Sequence, residues 1–219
     1  AVCNLQTGIG TTRGYWHYLL TAHRYWYPHG SRQIEVAAEF LRAEAIDIAL
    51  LCEVEGGSAR TRWVDQVDLI ASRSGLSHRL FFPTNIVGRR VNQGNGIVSR
   101  LPLRYRFNRA LPGHGEPRFL SEAEVELDAS VIHLFVTHLS LEHKLRRSQI
   151  HSIAAALAES DGPTLLGGDF NISEEAEFDL LREGHLAKAL SRETFPAWKP
   201  IRALDHLFLS RHFEVLDVS

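Results

Sequence analysis

Thr164-Leu165-Leu166-Gly167-Gly168-Asp169-Phe170-Asn171 decides how the rest of the chain is read. A short apolar run closed by glycines has the make-up of a buried strand, and the glycines let the backbone turn sharply and approach a bound group. The strand ends by presenting a carboxylate, Asp169, and two residues later an amide, Asn171. A carboxylate can hold a cation or take a proton, and an amide can donate to an anionic oxygen. That pair suits phosphate chemistry. Gly, Asp and Asn are also ordinary turn residues, so the stretch gains its meaning from others that end the same way.

Working outward, four more apolar runs do so. Residues 1–6 read as a strand with Asn4 near its end, and residues 46–52, almost wholly apolar, lead to Glu53. Residues 131–137 deliver His138, and residues 203–210 start a strand with Asp205 and His206. If the first two strands are neighbours, Asn4 and Glu53 share an end and a face, with Cys3 and Cys52 pointing the other way. Asp205 and His206 face opposite sides, so one of them enters a given pocket, and Asp205 is favoured. Asn95, in the stretch Asn92-Gln93-Gly94-Asn95-Gly96 between a turn and a strand, is within reach of a phosphate. Arg118 opens a strand in which Phe119, Ser121, Ala123, Val125 and Leu127 alternate with Glu122, Glu124 and Glu126, which marks the glutamates as a wet face.

Between these strands lie helical patterns. Residues 31–44 carry Ile34, Ala37, Ala38 and Leu41 on one face. Residues 60–74 place Trp63, Val67, Ile70 and Ala71 inward and stop at Gly75. Residues 141–159 carry Leu145, Ile150, Ile153, Ala154 and Leu157 inward, and residues 173–183 read as a helix capped by Ser173. Residues 14–27 hold aromatics at helical spacing on two sides, which reads as core packing or as the wall of an amphiphile site.

The 219 residues show no linker, so a single domain is expected. Twenty-four Lys and Arg against 26 Asp and Glu leave a formal charge of -2, so no global basic field gathers nucleic acid and phosphate recognition has to be local. No apolar run is long enough to span a bilayer, so stable membrane insertion is not expected. Two cysteines make no disulfide framework, and buried thiols in a cytoplasmic protein are the expectation; only a leader before Ala1 would open secretion as an alternative.

Strand ends thus supply three carboxylates, Glu53, Asp169 and Asp205, which repel one another unless a cation sits among them. Oxygen ligands without thiolates or paired histidines suit Mg²⁺, or Mn²⁺, better than Zn²⁺.

In chain order, Asn4, the Leu51-Cys52-Glu53-Val54 and Gly94-Asn95-Gly96-Ile97-Val98-Ser99-Arg100 segments, Thr137-His138-Leu139, Gly167-Gly168-Asp169-Phe170-Asn171 and Leu204-Asp205-His206-Leu207-Phe208 resemble the motifs of the endonuclease/exonuclease/phosphatase superfamily. The resemblance covers nearly the whole chain. It implies an α/β (α+β) fold of the deoxyribonuclease-I-like kind, a four-layer sandwich of two packed mixed β-sheets flanked by helices, with a metal site at one edge. It further implies Glu53 as principal Mg²⁺ ligand with Asn4 beside it, Asp169 positioning the attacking water, Asn171 as a phosphate-binding amide and His138 as an acid or phosphate stabiliser. Asp205 would orient a histidine or help the metal. The family's closing Ser-Asp-His strand is not within the 219 residues, so a central strand beyond Ser219 is expected; without it, His206 would have to substitute. The function implied is Mg²⁺-dependent hydrolysis of a phosphodiester or phosphomonoester. Nucleic acid, phospholipid head group and small metabolite stay open as substrates, a non-catalytic binding scaffold is the alternative, and the oligomeric state is undetermined.

Overall fold

The computed structural model describes residues 1–10, 22–183, 186–188 and 192–217. The helical reading of residues 14–27 therefore falls largely outside the described residues, which show one 3₁₀ turn at Ala22–Tyr25.

Among the described residues, ten strands form two sheets. The first joins β1 (Val2–Asn4), β2 (Ile48–Glu55), β4 (Val91–Ser99) and β3 (His78–Val87) in that order, with β1 parallel to β2 and the others antiparallel. The second runs β5 (Arg104–Ala110), β6 (Phe119–Leu127), β7 (Ser130–His138), β8 (Thr164–Asp169), β10 (Asp205–Ser210), β9 (Leu186–Lys188), with β7 and β8 parallel. Both sheets are mixed. In the second sheet β8 pairs directly with β10, and among the described residues β1 stands at the edge of the first.

Period-two alternation then divides each strand between two cores. Leu50, Phe82 and Ile97 of the first sheet meet Ala123, Val125, Leu134 and Val136 of the second between the layers. On the outer face of the first sheet, Ile34, Ala38 and Leu41 of α1 (Arg32–Ala43) and Val67 and Ile70 of α2 (Gln66–Ser74) cover Leu51, Val54 and Val98. On the outer face of the second, Ile150, Ile153 and Ala156 of α3 (His143–Leu157) and Leu181 of α4 (Asp179–Glu183) cover Phe135, Leu166, Phe170 and Phe208. Helix, sheet, sheet and helix make the four layers expected.

Local differences have local causes. The helix read over residues 60–74 begins at Gln66, because Asp65 caps it by accepting the Asp68 N–H at 2.9 Å, while Arg62 and Trp63 take positive φ and leave Trp63 exposed rather than inward. Gly75 ends it at φ 82 as read. Residues 173–183 form a 3₁₀ turn, Glu175–Phe178, before the short α4, and Ser173 is no cap. Asn95 lies inside β4 rather than in a turn.

The wet face of β6 is also corrected. Glu122 and Glu124 are buried: His133 Nδ1 lies 2.8 Å from Glu122, Arg106 Nε is 2.9 Å from Glu124, and Arg104 reaches the same carboxylate. Arginines on β5 and the hydrogen-bonding His133 on β7 make burial tolerable. Although ligand atoms of Glu122, Glu124 and His133 lie within 4.8 Å of one another, the arginines already neutralise Glu124, so this cluster is an ion-pair network rather than a cation site.

Candidate active site

One rim of the sandwich gathers the ends of β1, β2, β7 and β8 and the start of β10 around a cleft of about 1140 Å³. Asn4 is the hinge of the arrangement. Its Nδ2 donates to Glu53 Oε1 at 3.1 Å and to Asp169 Oδ2 at 2.8 Å, so residues far apart in the chain share a single nitrogen. Asn4 thus clamps two carboxylates, and its Oδ1 accepts the Gln6 N–H at 3.0 Å with one lone pair to spare.

How Glu53 reaches this rim is a matter of one irregular residue. Cys52 aligns with Asn4 and packs between the sheets with Leu50, so strict alternation would turn Glu53 to the helical side with Leu51. Instead the register against β4 slips between Leu51 and Val54, and Glu53 takes φ 52. The left-handed conformation costs roughly 1–2 kcal/mol in a residue with a Cβ, a strain typical of functional positions. Cys52 therefore does not point away, as expected, but donates its thiol to the Thr137 carbonyl at 3.2 Å, directly under His138. Cys3 lies against the α1 and α2 core on the opposite face; both cysteines are free, and burial pushes Cys3 up to about 11 and Cys52 well above its usual value.

The remaining groups close around this pair. His138 Nδ1 stands 3.7 Å from Glu53 Oε1 and its Nε2 3.7 Å from Asp169 Oδ2. Burial, with Arg118 nearby, holds the imidazole well below its usual 6.5, so it is neutral and donates a single N–H. Asp205 sits opposite Asp169 across the β8–β10 ladder. Its Oδ1 is buried with no hydrogen-bond partner among the described residues, while Thr194 holds the start of β10 through the Leu204 and Asp205 N–H groups. Asn171, at φ 53, donates its N–H to Asp169 Oδ1 at 2.9 Å and ties its side-chain nitrogen to the Leu139 carbonyl at 2.9 Å. Arg118 borders the cleft and pairs with Glu116 at 3.0 Å. Asn95 is buried beneath, beside Glu53, Arg118 and His138, with Nδ2 3.4 Å from Ser121 Oγ.

His206 is the residue that does not come. Only 1% exposed, it turns into the core against Phe170, Phe178 and Phe208, and its Nε2 meets the Ile172 carbonyl at 2.8 Å. With Asp205 facing the cleft, alternation along β10 leaves it no other direction.

Sequence reading missed Arg60. It is buried on the cleft wall, bonded through Nε to Glu55 at 2.6 Å and through Nη2 to Gln93 at 2.9 Å. An arginine in the loop after Gly56-Gly57-Ser58 gave no signal, because its pairing with Glu55 depends on that loop folding back onto the end of β2.

Burial pushes Glu53 up to about 7, aided by Asp169, and burial followed by Asp169 pushes Asp205 up to about 7; Asp169 is raised by burial against the pull of Asn4 and Asn171. Three carboxyl groups that resist ionisation, one with an oxygen lacking any partner, form an all-oxygen set that fits a divalent cation such as Mg²⁺.

A fold of two mixed sheets with carboxylates at one rim defines a class, and the comparisons agree with it. The model of the endonuclease/exonuclease/phosphatase family matches residues 4–219, and the chain belongs to that family. None of the curated proteins compared with it is a match. Among solved structures, it is similar to an endonuclease/exonuclease/phosphatase from Beutenbergia cavernae (22% identity, TM-score 0.65), covering 84% of this chain but 60% of that one. It is also similar to humanized D. rerio TDP2 (17%, TM-score 0.64, covering 98% and 84%) and to a mannosyl-6-phosphatase of Bacteroides thetaiotaomicron (13%, TM-score 0.67, covering 96% and 85%). At these identities the likeness is one of fold.

Proposed function

We propose that this protein is a divalent-metal-dependent phosphoesterase that cleaves a phosphodiester, or a phosphomonoester, by direct attack of water. The observation that carries the reading is the meeting of Glu53, Asp169 and Asp205 at one rim, buried or half-buried, with no lysine or arginine in an ion pair with any of them among the described residues. Glu53, with Asp169 and Asp205 beside it, would hold Mg²⁺ or Mn²⁺, which when bound polarises the phosphoryl group and stabilises the departing oxygen.

The protein's own groups do the rest. Asp169, its Oδ1 fixed by the Asn171 N–H, orients the attacking water and accepts its proton. Neutral His138 serves as a hydrogen-bond donor to a phosphoryl oxygen, a reading its lowered basicity supports over that of an acid. Arg118 adds positive charge beside it, and Asn171 a further amide.

The cleft favours a small phosphoester or a head group over a nucleic-acid strand. Three of the four arginines on its lining already have carboxylate partners, Arg60 with Glu55, Arg118 with Glu116 and Arg146 with Glu177, which leaves Arg202. Paired guanidinium groups make a poor track for a polyanion.

The test is hydrolysis of bis-p-nitrophenyl phosphate, a sugar phosphate and single-stranded DNA, each with Mg²⁺ and with chelator. Turnover of at least one should require the ion, and Asp169→Asn should lower it by about 10²–10⁴-fold, the range for a lost general base. No metal-dependent turnover on any phosphoester would overturn the proposal.

A further inference from the structure

The β3–β4 hairpin ends in Ile86-Val87-Gly88-Arg89-Arg90. Ile86 is 63% exposed and Val87 is also exposed, although hairpins are usually tipped by polar residues. The tip is not loose. Its Arg89 and Arg90 carbonyls accept the Ala59 and Arg60 N–H groups, which fixes it against the loop bearing Arg62 and Trp63. Trp63 is 56% exposed, with the Arg89 guanidinium 5.0 Å over its ring. The His29 N–H bonds the Arg60 carbonyl and brings exposed Trp26 and Tyr27 alongside. Val87 and Trp26 also border the cleft, as does Leu141, 77% exposed, on the loop after β7.

Charge on this patch is mostly positive. Arg62, Arg89 and Arg90 are exposed, whereas Glu55 is buried against Arg60 and Asp65 is committed to capping α2. A rigid patch mixing aliphatic tips, an interfacial tryptophan and arginines has the composition of a surface that settles on lipid carrying negative charge.

We propose that the hairpin tip and the Arg62-Trp63 loop dock this protein on anionic phospholipid bilayers, with the mouth of the cleft at the lipid surface. Ile86 and Val87 enter the acyl boundary, Trp63 sits at head-group level and the three arginines meet lipid phosphates. A nucleic-acid strand would use aromatic rings for stacking but gains nothing from two aliphatic side chains at the tip. A second copy of the chain, joined patch to patch about a two-fold axis, would oppose arginine to arginine. The docking does not depend on the proposed hydrolysis, and it is tested with the ion removed.

The experiment is vesicle co-sedimentation of the chelator-treated chain. Vesicles of phosphatidylcholine with about one-third phosphatidylglycerol carry negative surface charge and should bind; phosphatidylcholine alone should bind at least tenfold more weakly. Raising salt from 0.05 to about 0.5 M should release the protein, because the screening length shrinks severalfold. The double variant Ile86→Asp/Arg90→Glu, two exposed positions outside the cleft lining, should lose at least tenfold in binding while keeping the parent's thermal midpoint and its turnover of a soluble phosphodiester. Equal binding to neutral vesicles, no binding to anionic ones, binding unmoved by the double variant, or tighter binding to a single-stranded oligonucleotide at equal salt would each overturn the proposal.

Discussion

Glu53 carries a carboxyl that titrates near 7 in the folded chain instead of its ordinary 4.5, because burial disfavours the ion. The folded state therefore prefers the proton: any stability tied to it is complete below about pH 4.5 and is lost as pH rises through 7. With the ion chelated, Glu53→Gln is predicted to be more stable than the parent at pH 8 by on the order of 2–3 kcal/mol, and no more stable at pH 4.5. Urea unfolding at the two pH values checks this; an advantage of the same size at both would mean that the carboxylate is not the source. At the other extreme of the same rim, His206 belongs to the core. His206→Leu should cost about 1–3 kcal/mol through the orphaned Ile172 carbonyl, yet leave kcat of the folded fraction within a few-fold. A hundredfold fall in kcat with the fold intact would return His206 to the chemistry.

At the scale of elements, the end of β8 is the most constrained. Gly168, at φ 153, lies so close to the neighbouring strand that a Cβ would overlap the Thr137 carbonyl oxygen, one residue before His138. The parallel β7–β8 ladder holds its register only because nothing projects there, and that register sets His138 beside Asp169. Gly168→Ala is accordingly predicted to destabilise by more than about 3 kcal/mol, or to shift β7 against β8. Thermal unfolding reads the first outcome and loss of hydrolysis the second; an unchanged midpoint with full activity would remove the argument. The bulge in β2 acts in the opposite sense: it adds a kink where alternation would have hidden Glu53 among the leucines and valines under α1 and α2.

For the whole molecule, the three carboxylates come from β2, β8 and β10, so both sheets end in charge at the same rim. An ion bound there links the layers and binds the folded state alone. At about 100 times its Kd it should add roughly 2.7 kcal/mol. For a chain of this size that raises Tm by about 5–10 °C. Calorimetry with Mg²⁺ or Mn²⁺ and then with chelator measures it. Magnesium and manganese salts that leave the parent's Tm unmoved at millimolar concentration would count against a cation site at this rim.

The strands, the helices and the chemical inventory were legible in the chain, and the four-layer packing came only with the family resemblance. Apolar runs of strand length, helical stripes between them and polar groups at strand ends are all short-range patterns, and each survives without knowledge of what it touches. Asp169, Asn171, His138 and Asp205 were legible because they follow or begin buried strands. Tertiary structure alone decided directions and pairings. The single left-handed residue at Glu53 inverts a face, partners on neighbouring strands make Glu122 and Glu124 buried rather than wet, and the loop carrying Arg60 is closed by a glutamate on β2. Local sequence carries period and polarity, whereas register slips and cross-strand charge partners are properties of contacts between distant segments, and those exist only once the sheets have formed.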